Sequence, residues 1–296
     1  MTGILAVNKA AGVTSFKEVS AVRRLFSEKK CGHTGTLDPQ ATGVLPIALG
    51  GATRFIELLP DHTKQYTARF KTGFVSDTLD CWGEVQKISE KQVTADDILP
   101  LLDGFRGKIK QLPPMYSALK KDGVRLYELA RRGETVERAE RDCEIFSLEC
   151  TPAPNGEFEL CVRCSAGTYI RTLIDDIGAL LATGAVMTAL RRETACGIDI
   201  KDCVTVDSLF EEQRAGLDIS HHLISVDSLL TDYAALEVTE AQGARFKNGG
   251  ELMRSRLRKD LPDGIYRVYS GGAFLGLGEL PEEGENLIIK RVFTER

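Results

Sequence analysis

No stretch of this 296-residue chain approaches the run of about eighteen apolar residues that a membrane-crossing helix needs, and the first ten residues, MTGILAVNKA, lack a basic leader. A cytoplasmic protein with no membrane partner is expected. The patterns GxGxxG and GxxxxGK[ST] are also missing, which removes the usual signatures of hydride and phosphoryl transfer. There is one CxxC, Cys161-Val-Arg-Cys164, but no second CxxC and no His-x-x-x-His to complete a zinc site. Phe158, Leu160, Val162 and Cys164 alternate with Glu159, Cys161 and Arg163, so a strand places those two thiols on opposite faces. The eight cysteines are therefore expected to be reduced and structural, and neither metal nor cofactor is expected.

What is present is ordinary for a globular chain, 43% hydrophobic and 27% charged. The length exceeds one typical domain, so a large core with a smaller appended domain is expected, divided as 1–230 and 231–296. The net charge is −5, but it is unevenly spread. Residues 1–75 hold ten Lys/Arg against five Asp/Glu. From Phe105 to Arg132 there are eight cations (Arg106, Lys108, Lys110, Lys120, Lys121, Arg125, Arg131 and Arg132) against Asp122 and Glu128, interleaved with Phe105, Tyr116 and Tyr127. Cations mixed with aromatics suit a phosphate backbone and splayed bases; a solvated face is the alternative.

The most informative segment is Gly32-His33-Thr34-Gly35-Thr36-Leu37-Asp38-Pro39-Gln40-Ala41-Thr42-Gly43. It has no apolar period, and Pro39 biases Asp38 toward extended geometry, so the carboxylate is expected on a shaped and strained loop rather than on a helix face. Three glycines in twelve residues permit positive φ and close approach of another molecule. A plain Asx-turn before proline is the competing reading.

The order of residues in GHTGTLDPQATGVLPIALG closely resembles the catalytic signature of bacterial tRNA pseudouridine synthases of the TruB type. A second stretch, QLPPMYSALK followed by Gly123, Arg125, Tyr127 and Glu128, is similar to another segment of that family, one that builds the RNA-facing side of its cleft. A third, Ser165-Ala-Gly-Thr-Tyr-Ile-Arg171, resembles its SxGTYIR motif. The resemblance implies an aspartate nucleophile at Asp38 and an arginine partner at Arg171, whose rigid fork would aim the carboxylate and favour its charged form. It further implies that Tyr66 stacks on the flipped uracil, that His33 holds the nucleotide out of its stack, and that Leu190, Lys64 and Tyr169 bind substrate. The competing reading of Arg171 is an exposed pair with Asp175, worth only about 0.3 to 0.5 kcal/mol. Lys9 and Gly12 resemble a Lys-Pro-x-Gly motif with Ala10 in place of proline, and no chemistry is assigned to Lys9.

The expected fold is a mixed α/β core. Ile4 to Asn8 reads as a strand, Ser15 to Glu18 as a capping box ahead of a helix burying Phe16, Val19, Val22 and Phe26, and Gln65 to Lys71 as a strand burying Tyr66, Ala68 and Phe70. Ile170, Leu173, Ile174, Ile177 and Leu181 form one helical stripe. After residue 230 short strands at 235–238, 264–269, 273–277 and 287–292, with a helix at 239–247, read as a small β-barrel. It resembles the PUA domain of such synthases, with Arg254, Arg256, Arg258 and Lys259 suited to tRNA. The reaction implied is isomerisation of uridine to pseudouridine at position 55 of the tRNA T-loop by a monomer that flips the base. Whether Asp38 attacks the base or C1′ stays open. An aspartyl-phosphate hydrolase is disfavoured because Gln40 stands two residues after Asp38 and no paired carboxylates follow to hold magnesium. A non-catalytic tRNA-binding or folding factor is the alternative.

Overall fold

The computed structural model describes residues 1–258 and 260–294. It begins with β1 (Gly3–Lys9), α1 (Ser15–Leu25), β2 (Cys31–His33) and, after the Asp38 loop, β3 (Thr42–Leu49). Then come β4 (Lys64–Thr72), β5 (Phe74–Ser76), β6 (Val85–Lys87), α2 (Ala95–Leu102) and β7 (Gly107–Gln111). An arm holds β8 (Lys120–Lys121), β9 (Val124–Arg125) and α3 (Leu126–Ala130). It is followed by β10 (Arg141–Ala153), β11 (Glu157–Cys164), α4 (Ile170–Leu180), β12 (Ala185–Ala195), β13 (Ile198–Asp199), α5 (Val206–Arg214) and β14 (Leu223–Ile224). The last elements are β15 (Ala234–Glu237), α6 (Glu240–Lys247), β16 (Leu252–Met253), β17 (Gly264–Ser270), β18 (Ala273–Leu280) and β19 (Asn286–Val292).

Ten strands form one mixed sheet in the order β14-β1-β3-β12-β4-β11-β10-β7, with β2 added on β3 and β13 on β12. The pairings are antiparallel except β3 with β12, which run parallel and meet only at Arg191↔Thr42 and Arg192↔Gly43. Gly43 makes that meeting possible. Its φ is +100°, and a Cβ there would lie 2.2 Å from the Arg192 carbonyl oxygen, so no side chain fits.

The mixed α/β architecture is the expected one, and alternation explains most of it. In β4 Tyr66, Ala68 and Phe70 are buried while Gln65, Arg69 and Lys71 are exposed, and the apolar stripe of α4 is buried as its spacing predicts. In β11 Cys164 is buried and Cys161 is not, so the two thiols do part to opposite faces, and all eight cysteines are free. Helix α1 departs from expectation. Thr14 caps it by accepting from the Lys17 amide, and Phe16 lies 71% exposed while Leu25 takes a core position. The Ser15 hydroxyl is used elsewhere, as described below.

The C-terminal strands form a curled, five-stranded half-barrel in the order β15-β17-β18-β19-β16, in keeping with the small barrel expected there; the two-residue β16 was not foreseen. Helix α6 is closed by a capping box of Thr239 and Gln242. This sheet is anchored to the body through aromatic rings, Phe55 lying 6.1 Å from Phe274 and 6.0 Å from Phe293. Arg254 is held internally by Asp263 and by the carbonyls of Leu261 and Pro281, whereas Arg256 and Arg258 are exposed; Lys259 lies outside the described residues.

Candidate active site

Asp38 stands on the loop between β2 and β3, in irregular backbone, as Pro39 predicts. The expected strain is not there: no residue from 31 to 42 has a left-handed φ, and of the three glycines only Gly43 uses positive φ. Side chains from four elements shape the loop instead. Ser15 of α1 donates to the Leu37 carbonyl at 3.0 Å and accepts from the Leu37 amide at 2.9 Å. Lys9, at the end of β1 and fully buried, donates to the carbonyls of Ala10, Val13 and Pro39 at 2.8, 2.6 and 2.9 Å. Arg192 of β12, also buried, donates to the carbonyls of Val44 and Gly35 at 2.6 and 3.1 Å. Each of these groups satisfies backbone acceptors of the loop or of the residues beside it.

The fourth is Arg171, in the first turn of α4. Its Nε lies 3.0 Å from Asp38 Oδ2 and its Nη2 3.2 Å from Asp38 Oδ1, a two-pronged contact that fixes the plane of the carboxylate. The guanidinium is itself immobilised, donating to the carbonyls of Thr78 at 2.9 Å and Tyr116 at 2.8 Å, with Asp80 Oδ2 at 4.0 Å. Arg171 is 5% exposed and the Asp38 side chain 38%, so the carboxylate is presented to solvent from a buried clamp. The surface pair with Asp175 does not form.

The remaining sequence candidates gather nearby. Tyr66 of β4 is buried, faces Arg192 across the strand register, and is near enough to feel the Asp38 charge; burial, above all, pushes its phenol up. Leu190 is buried two residues before Arg192 on the same face of β12. Lys64 begins β4, and its Nζ would sit 3.4 Å from a Cβ at Gly35; burial and then the Arg192 charge lower its ammonium. His33 ends β2, with Nδ1 buried and without a hydrogen-bond partner, and burial followed by Arg192 pushes the imidazole down, favouring its neutral form. Tyr169 caps α4; its amide and carbonyl are both held by the Gln111 side chain, and burial raises its phenol.

Sequence reasoning missed Arg192, Asp80 and Gln111. Arg192 was detectable, because strand alternation puts it on the face of Leu190. Asp80 carries no local signal and Gln111 only its place at the head of the QLPPMYSALK stretch, since each matters through the partner that folding brings to it.

A buried arginine aiming one half-exposed carboxylate, beside a buried tyrosine and a lysine and a histidine whose proton affinity burial lowers, is an arrangement that can attack an electrophile with an anionic neighbourhood. Comparison with known proteins makes the family definite. The model of the TruB family pseudouridylate synthase N-terminal domain matches residues 23–170, that of the tRNA pseudouridylate synthase B C-terminal domain 171–231, and that of the C-terminal domain of pseudouridine synthase II TruB 234–293. This chain belongs to the TruB family.

Among its relatives, tRNA pseudouridine synthase B of Clostridium perfringens is 41% identical over 98% of this chain and 100% of its own length. The protein of the same name from Azoarcus sp. is 42% identical over 94% of this chain and 90% of its own. In fold, the TruB-family chain here is similar to a chain of a Cbf5-Nop10-Gar1 complex, with a TM-score of 0.74 and 24% identity over 99% of this chain and 85% of that one. A chain of an H/ACA RNP bound to a substrate RNA containing 2′-deoxyuridine gives 0.73 and 22%, over 99% and 86%. No helix among the described residues is long and apolar enough to cross a membrane.

Proposed function

We propose that the chain isomerises uridine to pseudouridine at position 55 of the tRNA T-loop, with Asp38 as the nucleophile. The observation that carries this reading is the Arg171 fork on Asp38, which supplies a pre-aimed carboxylate oxygen at the mouth of a buried polar cluster. The target base leaves its stack at a cost of a few kcal/mol and enters the space beside Tyr66 and Leu190, with His33 keeping it extruded. Lys64, a half-desolvated ammonium with no hydrogen-bond acceptor among the described residues, takes a phosphate of the extruded nucleotide, and Tyr169 lines the far wall.

Asp38 then bonds either to the uracil ring or to C1′. On both routes the N1–C1′ bond breaks, the uracil turns while held, C5 bonds to C1′, the bond to Asp38 breaks to regenerate the free carboxylate, the C5 proton leaves to solvent and N1 gains one. Arg171 keeps the carboxylate oriented throughout, and no cofactor or metal enters these steps. We further place the boundary between a catalytic domain and a PUA-like RNA-binding domain at 230/231, with the second holding tRNA away from the reacting base through Arg256 and Arg258. A cytoplasmic monomer completes the reading.

The test is tritium release from T-arm transcripts labelled at C5 of uridine, with uridine or cytidine at position 55. Release from the first alone, and none with Asp38→Asn, is expected. Release from both transcripts would overturn the position, release by Asp38→Asn would overturn the nucleophile, and tRNA binding without any release by the unaltered chain would favour the folding-factor reading.

A further inference from the structure

Two of the chain's four histidines are adjacent, at 221 and 222, in a short 3-10 turn (Ile219–His222) remote in sequence from every residue of the catalytic cluster. That turn folds back on α5. A ring nitrogen of each histidine and a carboxylate oxygen of Glu212 all lie within 4.8 Å of one another, and His222 Nε2 is 2.8 Å from Glu212 Oε2. The two imidazole rings sit 3.9 Å apart, centroid to centroid. We propose that Glu212, His221 and His222 form a site for a divalent transition-metal ion, zinc above all, that staples α5 to the turn leading into β14.

Three observations support it. Two imidazoles with one carboxylate are a borderline-soft donor set that suits zinc and its neighbours rather than magnesium or calcium, and three ligands with water as the fourth complete a tetrahedron. The His221 ring is already oriented from outside the cluster: its Nδ1 lies 2.6 Å from the Asp218 carbonyl, and a proton donated there leaves Nε2 with its lone pair free. Asp218 is fixed in turn, accepting from the Ser220 amide at 2.9 Å and hydroxyl at 2.7 Å. Residues 206–222 carry four acids, Asp207, Glu211, Glu212 and Asp218, against Arg214 alone, so the local field favours a cation.

The site departs from the metal-free expectation drawn from the cysteines, and it uses none of them. Its role is structural. Helix α5 is tied to α1 by Gln213 donating to the Leu25 carbonyl at 2.9 Å, and β14 pairs with β1. A metal there braces the two elements that carry Ser15 and Lys9. Binding at His222 replaces its present hydrogen bond to Glu212.

The experiment uses the full chain stripped with a chelator and titrated with zinc chloride by calorimetry, alongside thermal unfolding. One equivalent bound and a higher unfolding midpoint are expected, both lost in His221→Asn/His222→Asn. Cobalt should give visible d–d bands without a sulfur charge-transfer band. Should the double variant not fold by circular dichroism, Glu212→Gln alone must lower zinc affinity by more than the roughly 10- to 100-fold that loss of a supporting group costs. No binding at micromolar zinc, binding unchanged in these variants, or a sulfur-to-cobalt band would overturn the proposal.

Discussion

The Asp38 loop (residues 32–43) and the arm (residues 112–140) both carry family signatures, yet they are held by opposite means. Ser15, Lys9, Arg192 and Arg171 reach the loop from four different elements, and three of them end on its backbone carbonyls. The arm is held mainly by itself. Strands β8 and β9 pair only with each other, the Leu126 and Tyr127 amides donate to Leu119 and Ser117 within the arm, and Arg138 and Lys121 donate to the carbonyls of Pro113 and Glu137. Its cations Lys120, Lys121, Arg125, Arg131 and Arg132 are exposed, two of them over the Tyr127 ring. Rigid, satisfied polar contacts serve bond making, where misplacement is costly; local structure with free charge serves a large, adaptable ligand. Arg171 joins the two, gripping Asp38 with one edge and the Tyr116 carbonyl of the arm with Nη2.

If this contrast is right, changes in the loop should damage turnover or stability, and changes in the arm should damage affinity. The largest effect is expected for Asp38→Asn, which should lower single-turnover conversion by a factor on the order of 10⁴ or more while tRNA binding stays within severalfold. Equal losses in binding and turnover would mean that Asp38 holds the RNA rather than reacting with it. Next, Arg171→Lys keeps the charge but not the fork, and should cost on the order of 10²-fold in kcat with an unchanged circular dichroism spectrum.

Lys9→Met removes the buried donor that three carbonyls share and should destabilise the fold by about 2–4 kcal/mol in urea unfolding, with kcat falling only as the loop loosens. Its pH dependence has a definite sign. Burial lowers the Lys9 ammonium from 10.5 to about 8, so between those values the unfolded chain holds a proton that the folded one has shed. The group's contribution to stability therefore rises with pH in that window and is flat below it, and the gap between wild type and Lys9→Met should widen from about pH 8 to pH 10. A constant gap would mean that Lys9 is solvated. The smallest effect belongs to the arm. Lys120→Ala/Lys121→Ala should weaken tRNA binding severalfold and flatten the slope of log affinity against log salt by about 1.5, leaving kcat alone. A fall in kcat would erase the division of labour.

The sequence was most readable where a feature is local. Proline after Asp38, alternation in β4 and β11 and the stripe of α4 all state their geometry within a few residues, and the structure follows them. Helix α1 misled because two adjacent hydroxyls, Thr14 and Ser15, compete for the cap, and only tertiary contact shows that Ser15 is spent on Leu37. Phe16 misled because helical spacing gives a face but not its partner. The loop glycines suggested strain, whereas the shape comes from buried donors at positions 9, 15 and 192, far away in the chain. Ala10 stands where the family motif has proline, and its carbonyl is occupied by Lys9 regardless of the side chain.

That same lysine offers a way to time the opening of the loop. With no accessible surface, its amine cannot meet an acylating reagent until residues 10, 13 and 39 let go together, whereas the exposed lysines of the arm react at once. The rate at which a mass tag appears on Lys9 is thus a clock for the parting of strand, turn and Asp38 loop. Substrate RNA that seats on the closed loop should slow that clock in proportion to how tightly it holds the loop shut.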